Sequence, residues 1–114
     1  MSKIASKIVE NQNIDNNNEF IFKDIIKKHC ELINIIKSGG GKHLIEKQHN
    51  KGKLTARERI NYLIDESSEF FEIGRFGAHG MYNEYGGANC AGVITGIGKI
   101  LDNDFIIIAN DATV

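Results

Sequence analysis

The sequence contains 114 residues, of which 41% are hydrophobic and 25% are charged, and its formal net charge is -1. This length fits one domain at most, or part of one, and the composition excludes a collagen-like, coiled-coil or wholly disordered chain. The sequence contains no run of about 18 apolar residues, so it predicts no membrane-spanning helix. Residues 1–7 lack the apolar core of a secretory signal. The two cysteines, Cys30 and Cys90, form no CxxC pattern, which favours a reduced, cytoplasmic compartment.

The N-terminal segment is polar. Residues 1–18 end in the run Asn11–Asn18, which has almost no regularly spaced apolar residues. Such a stretch buries too little surface to offset its ordering entropy. We therefore expect a disordered, Asn-rich tail over 1–18 and one domain portion over 19–114.

Three helices are predicted next. Apolar residues recur at three- and four-residue intervals from Phe22 to Ile36, which indicates an amphipathic helix over roughly 20–37, with Gly39 in the left-handed position after its end. A short basic helix follows over 42–50 and is closed by Gly52. The third begins after Thr55, because Thr55-Ala56-Arg57-Glu58 matches a capping box.

Beyond Asp65 the pattern becomes one of strands. A short strand is predicted over 70–73, and a glycine-rich loop follows it. A hairpin comes next, with strands over 93–100 and 105–109 joined by a turn at 102–104. The sequence therefore predicts helices first and a β-hairpin last, in an α/β fold.

The last strand is apolar without interruption from Phe105 to Ile108. An unbroken apolar strand is typical of one covered on both faces, and fully burying each such side chain is worth about 1.5–3 kcal/mol. Only five residues follow Ala109, and the helices can cover one face at best. We expect the chain to be part of a larger domain, or to need a partner that covers the other face.

Several motifs are weaker than they look. Ser38–Lys42 lacks the glycine and the hydroxyl residue that a phosphate loop requires, and Gly92, Gly96 and Gly98 lie in a β-rich run where glycine marks a bulge or a close backbone approach. His29 fits a packed histidine. No metal-ligand spacing links the four histidines, which are His29, His43, His49 and His79. Cys90 has no neighbouring base in the sequence, so no metal ligand or nucleophile is predicted.

Basic residues concentrate between Lys37 and Arg59, with seven basic against two acidic side chains. This basic band has two open interpretations, a solvated helix surface or a contact with an anionic ligand or partner. The nearly neutral chain disfavours a nucleic-acid binder, which needs a broad basic face.

From Gly39 onward the sequence resembles the carboxyltransferase (β) subunit of biotin-dependent acyl-CoA carboxylases, and within that family it looks more like the methylcrotonyl-CoA carboxylases than the propionyl-CoA carboxylases. Five segments match in order and spacing: 39–41 (GGG), 51–60 (KGKLTARERI), 70–74 (FFEIG), 92–98 (GVITGIG) and 109–114 (ANDATV). Members of this family are several times longer, and the match corresponds to their N-terminal portion.

The resemblance implies part of a crotonase-like fold of stacked ββα units. It implies that the intact protein moves CO2 from carboxybiotin, carried by a biotin carboxylase/biotin carrier partner, to an acyl-CoA, in leucine catabolism for a methylcrotonyl-type enzyme. It also implies a homo-oligomer of carboxyltransferase subunits. The family's oxyanion-binding N–H groups lie downstream of this segment, so it implies no catalytic residue between Met1 and Val114, no cofactor bound here and no activity of the segment alone.

Two alternatives remain. One keeps the fold and assigns the chain to a biotin-dependent acyl-CoA decarboxylase that drives a sodium pump. The other is a stand-alone interaction module that uses the basic band. Within the leading interpretation, the charge of Lys51 and Lys53 suggests that the band approaches the phosphates of CoA.

Overall fold

A computed structural model describes residues 12–114 of the chain. These residues belong to two compact units, the first ending at Ile33 and the second spanning Asn34–Val114. None of the helices between residues 12 and 114 combines the length and apolar character that a bilayer crossing requires.

The first helix, α1, spans Gln12–Lys37 and so begins about two turns before the predicted residue 20. Its early turns are stabilised locally: Asp15 lies in the first turn, and Glu19 pairs with Lys23 at 2.6 Å. Acidic residues favour a helix N-terminus, and i,i+4 pairs add a few tenths of a kcal/mol. Residues 12–18 of the predicted tail are therefore helical, whereas residues 1–11 lie outside the described residues.

Two short helices follow. Helix α2 spans Lys42–Asn50 and α3 spans Ala56–Leu63, as the sequence predicts. The capping box of α3 is complete, since Thr55 Oγ1 accepts from the Glu58 N–H and Glu58 accepts from the Thr55 N–H at 2.7 Å. Glu58 also contacts His49 Nε2 at 2.9 Å and so ties the end of α2 to the start of α3.

Three antiparallel strands form one sheet in the order β1-β2-β3. They are β1 (Phe71–Ile73), β2 (Val93–Ile100) and β3 (Asn103–Asn110). The short strand β1 pairs with the central strand β2, with Glu72 opposite Gly96, and the β2–β3 hairpin pairs Val93 with Asn110 through to Ile100 with Asn103. The loop between β1 and β2 holds two short 3-10 turns, Asn83–Tyr85 and Asn89–Gly92.

The core lies between α3 and one face of this sheet. Ala56 and Ile60 of α3 pack against Ile94, and all three are buried. Four partly buried residues surround them: Ile64, Phe70, Ile107 and Ala109. Since side chains alternate along a strand, the opposite sheet face carries a second apolar set that includes Ile106 and Ile108, and both are exposed. The prediction that β3 lacks cover on one face is confirmed for the described residues.

The hairpin turn differs from the prediction. Leu101 and Asp102 form a two-residue turn with φ of 48° and 66°, and β3 begins at Asn103 instead of residue 105. The Asp65 carboxylate explains this position, because it accepts the backbone N–H groups of Leu101 and Asp102, both at 2.9 Å. A contact across 36 residues therefore sets the turn, which local sequence does not show.

Leu101 is an unfavourable residue for this turn, since it is 84% exposed and adopts a left-handed backbone that L-residues with a full side chain avoid. We expect Leu101→Asn to raise the free energy of unfolding by about 0.5–1 kcal/mol, because asparagine tolerates this conformation in hairpin turns. Urea unfolding measures the change. Leu101→Ala is the control, and an equal gain in that variant would contradict a backbone origin.

Candidate functional site

A buried carboxylate lies where α3 crosses the sheet. The side chain of Glu72, only 3% exposed, accepts two hydrogen bonds from the Arg57 guanidinium, at 2.7 Å and 2.8 Å. Arg75 Nε donates a third at 3.1 Å. One carboxylate thus joins α3 to the loop that follows β1, and the bidentate contact with Arg57 has the geometry that orients a guanidinium most strongly.

The ionisation of this cluster follows from its contacts. Burial by itself would raise the pKa of Glu72, but the hydrogen bonds and charges of Arg57 and Arg75 outweigh burial and hold that pKa below its ordinary value. Desolvation opposes the charge on Arg57, yet the Glu72 carboxylate raises the pKa of Arg57 above its ordinary value. Both groups are charged at neutral pH, and Glu72 is not free to act as a general base.

Cys90 completes the cluster. Its Sγ lies 3.5 Å from an Arg57 nitrogen and 3.3 Å from the Arg75 carbonyl oxygen, and the residue is buried. Burial raises the pKa of the Cys90 thiol, with the Glu72 carboxylate adding to the effect against the opposing charge of Arg57. The thiol is therefore protonated at neutral pH, which makes it a poor nucleophile. Both cysteines are free of disulfide bonds.

A second set of contacts joins the Gly39–Gly41 loop to the last residues of the chain. The Gly40 N–H donates to Thr113 Oγ1 at 3.0 Å, and Asn89 Nδ2 donates to the Gly39 carbonyl at 2.9 Å. A Cβ on Gly40 would lie 1.6 Å from the Thr113 carbonyl oxygen, so only glycine fits. Gly39 has φ 56°, as predicted for a helix end. The loop packs against the last residues of the chain and does not form a phosphate loop.

The glycines of β2 also allow close approach. A Cβ on Gly96 would meet the Phe71 carbonyl oxygen at 2.4 Å, and one on Gly98 would meet the side chains of Ile64 and Ile107 within 2.8 Å. The contact at Gly96 confirms the predicted close backbone approach, whereas the atoms nearest to Gly98 belong to side chains. The missing side chains let α3 and Phe70 lie directly against the sheet.

A cleft of about 510 Å³ opens beside the buried carboxylate. Its charged lining comprises Lys37, Arg57, Glu69, Glu72 and Arg75, and Ile60, Ile64 and Phe70 supply apolar wall. Glu72 already binds both arginines, so this carboxylate is not available as a base in the cleft. Its contacts position elements of the fold.

The histidines do not converge. No group of three or more metal-binding side chains occurs among residues 12–114. His29 is exposed, so its predicted packing is wrong; the part of α1 that carries it presents its side chains to solvent. His49 pairs with Glu58, as described above.

The basic band is smaller than the sequence suggests. The charge of Arg57 is paired with the Glu72 carboxylate, and Lys42 lies 3.9 Å from the Glu46 carboxylate. Lys51, Lys53 and Arg59 remain exposed on the turn after α2 and on α3. Sequence reasoning missed the Arg57–Glu72 pair; its only local sign is an acidic residue between apolar neighbours in a strand.

Comparison with known proteins shows which family this sequence matches. The carboxyl transferase domain family matches residues 47–114. A methylcrotonoyl-CoA carboxylase beta chain of Dictyostelium discoideum is 46% identical over 89 residues, which is 78% of this chain and 15% of that protein. A probable methylcrotonoyl-CoA carboxylase beta chain of Drosophila melanogaster is 43% identical over 76 residues, 67% of this chain and 13% of that protein. The chain thus spans about a seventh of the length of these relatives.

A solved structure shares the fold. It is the transcarboxylase 12S crystal structure, described as a hexamer assembly with methylmalonyl-coenzyme A and methylmalonic acid bound. It superposes with a TM-score of 0.73 and 32% identity, and it covers 96% of this chain and 19% of that one. The predicted partial crotonase-like domain is confirmed by this likeness.

Removing the buried carboxylate should destabilise the second unit. Glu72→Ala leaves the Arg57 guanidinium, 20% exposed, without its partner, and breaking a buried pair from one side costs about 3 kcal/mol or more. We expect a loss of about 3 kcal/mol in the free energy of unfolding, measured by urea unfolding. Glu84→Ala, at an exposed acidic residue, should change it by less than about 0.5 kcal/mol. Equal losses in the two variants would contradict the role of the pair.

The same carboxylate predicts a pH dependence. Its pKa is lower in the folded chain than the ordinary value of 4.5, so the unfolded chain binds the proton more tightly. The stabilisation is present in full above pH 4.5 and is lost as the pH falls through the lower, folded pKa. We expect the difference in unfolding free energy between the wild type and Glu72→Gln to shrink on acidification below pH 4.5. A difference independent of pH would contradict this.

Proposed function

The chain belongs to the carboxyl transferase domain family, and from that membership we propose that it forms the N-terminal part of a carboxyltransferase subunit that moves CO2 from carboxybiotin to an acyl-CoA. The whole protein's activity, and the inactivity of this segment alone, are parts of the proposal. Its acceptor is proposed to be 3-methylcrotonyl-CoA or a similar thioester such as propionyl-CoA or acetyl-CoA.

One observation carries the proposal: the segments that match the family are those that hold the fold together. Gly40 bonds to Thr113, so the first matched segment meets the last. Arg57 bonds to Glu72, which joins the second matched segment to the third. A Cβ on Gly96 would meet the Phe71 carbonyl, so the fourth packs against the third. A match on surface residues alone would leave such pairs unexplained.

The acceptor is proposed from a narrower likeness. The last six residues, Ala109–Val114, and residues 92–98 resemble the methylcrotonyl-CoA carboxylases, and the two relatives reported above carry that name.

Biotin is assigned to a partner. Among the described residues, Glu72 accepts from both arginines, and Arg57 Nε is the one buried side-chain polar atom without a hydrogen-bond partner, a single donor that does not by itself make a site. The residues present do not fit a biotin site, so no step is derived through one here. We propose that a biotin carboxylase/biotin carrier partner supplies the carboxyl group, and that further carboxyltransferase subunits complete the assembly in a cytoplasmic enzyme.

A chimera tests this proposal. The matched 89 residues of the Dictyostelium discoideum beta chain would be replaced by the corresponding residues of this chain. We expect the chimera, with its biotin-bearing partner, to carboxylate 3-methylcrotonyl-CoA within about tenfold of the parent rate, because the exchanged segment supplies contacts that hold the fold together. A tenfold change corresponds to about 1.4 kcal/mol. Carboxylation assays with 3-methylcrotonyl-, propionyl- and acetyl-CoA measure the rate, and the 114-residue chain alone should be inactive.

Three controls decide the result. The parent chain sets the full rate, and the same chimera with Glu72→Ala should lose its assembly. A chimera that assembles like the parent yet carboxylates none of the three thioesters would contradict the proposal.

A further inference from the structure

Helix α2 carries basic side chains along one face. His43, Lys47 and Lys51 are spaced four residues apart, and all three are exposed. Lys51 is the C-cap residue and keeps a near-helical backbone, with φ -86° and ψ 5°, so the spacing continues past the last turn. A rise of about 1.5 Å per residue puts successive members about 6 Å apart and the two ends about 12 Å apart. These three residues are called the α2 stripe.

The α2 stripe lines an open groove of about 390 Å³ on the helix surface. Asn50 lines the same groove and adds an amide donor to the three basic side chains. No residue of α2 is buried, so the helix presents this groove to solvent. Lys53, which the sequence groups with Lys51, does not line the groove.

Within residues 12–114, no acidic side chain forms an ion pair with Lys47 or Lys51. The acidic side chains of this region have other partners, since Glu46 lies 3.9 Å from Lys42, and Glu58 contacts His49 at 2.9 Å. Like charges four residues apart on a helix repel each other and destabilise it. The α2 stripe therefore carries a repulsion that the described part of the chain does not neutralise.

The helix dipole explains part of this arrangement. Lys47 and Lys51 lie at the C-terminal end of α2, where the dipole favours cations. Lys42 and His43 lie at the N-terminal end, where it disfavours them, and the first turn has neither an acidic residue nor a side-chain cap. The dipole therefore does not account for the whole stripe. An anionic ligand along the helix would relieve the electrostatic cost at both ends.

The spacing of the α2 stripe restricts the ligand. A single carboxylate reaches one or two of its three positions, whereas a ligand with several phosphates spread over about 12 Å reaches all of them. A lysine binds phosphate as a point charge, and an imidazole N–H can donate to a phosphate oxygen. CoA carries a diphosphate and a separate 3′-phosphate, so one molecule supplies negative charge at two places. A groove open to solvent suits this charged end of the molecule better than its acyl end.

We propose that the α2 stripe binds the phosphate groups of an acyl-CoA. The inference rests on the proposed function, which makes an acyl-CoA the substrate. Lys47 and Lys51 supply the charges at one end of the groove, and His43 supplies a ring N–H at the other. The structure thus replaces the sequence-based pair Lys51 and Lys53 by a set that shares one groove.

Titration calorimetry tests the proposal. The 114-residue chain would be titrated with CoA, with dephospho-CoA, which lacks the 3′-phosphate, and with pantetheine, which has no phosphate. We expect CoA to bind most tightly, dephospho-CoA to bind less tightly and pantetheine not to bind. Inorganic pyrophosphate tests whether free phosphate is sufficient, and it should bind more weakly than CoA. Added salt should weaken the binding of CoA, because it screens exposed charges.

Two matched double variants locate the contact. Lys47→Gln with Lys51→Gln removes two charges of the α2 stripe, and we expect the affinity for CoA to fall about tenfold. Lys27→Gln with Arg59→Gln removes the same charge from exposed positions that do not line the groove. At about 0.1 M salt, where charges more than about 10 Å apart are screened, this pair should leave the affinity within about twofold. Circular dichroism checks that each variant keeps its secondary structure.

A chimera gives a second readout. In the Dictyostelium discoideum beta chain that carries the matched segment of this chain, Lys47→Gln with Lys51→Gln should raise the KM for 3-methylcrotonyl-CoA about tenfold. The kcat should stay within about twofold, because the phosphates are bound equally in the ground state and in the transition state.

Every outcome decides the question. The proposal is overturned if the wild-type chain does not bind CoA, if the α2 stripe variant binds it as tightly as the wild type, or if both double variants lose affinity equally. Pyrophosphate binding as tight as that of CoA shows a general phosphate site and overturns the assignment to an acyl-CoA. An active chimera whose KM is unchanged by the stripe variant rejects this inference alone. An inactive chimera, together with stripe-dependent binding of CoA, rejects the proposed function alone.

Discussion

The Glu72 carboxylate is the contact on which the rest of the described fold depends. It lies on the shortest strand, and three residues by themselves do not make a stable strand. By accepting from Arg57 and Arg75 it holds β1 to the helix above and to the loop that follows. The buried Cys90 packs against the same ions and places the start of β2. Removing the carboxylate would leave a buried cation and release both sides of the sheet.

The two faces of the sheet differ because only one of them has a helix. On the inner face, glycines at 96 and 98 let α3 and Phe70 approach until a Cβ would clash. On the face opposite α3 the strands carry large apolar side chains, and the other described residues leave them exposed. The first arrangement is a packed interface, and the second is an exposed apolar surface. Family membership gives this asymmetry a meaning, since the chain matches about a seventh of the length of its relatives.

Local patterns predicted the elements well where neighbours in sequence control them. The capping box at Thr55, the left-handed end at Gly39 and the span of β2 need only residues a few positions apart, and all three are confirmed. The polar residues before Phe20 predict disorder, yet α1 begins at Gln12, because i,i+4 charge pairs such as Glu19–Lys23 support a polar helix. The hairpin turn lies earlier than local sequence predicts, because Asp65, far away in sequence, fixes it through two backbone N–H groups.

The sequence by itself determined the order of three helices, a short strand and a hairpin, the apolar strand that lacks full cover, and the family resemblance, because all of these depend on residue spacing and on ordered motifs. Only the tertiary structure decided that Arg57 leaves the basic band to pair with Glu72, that Gly40 lies against Thr113, and that Ile106 and Ile108 share an exposed face. The physical reason is distance along the chain: a hydrogen bond that spans 15 or 73 residues leaves no periodic trace in sequence. Such contacts exist only once helices and strands have packed.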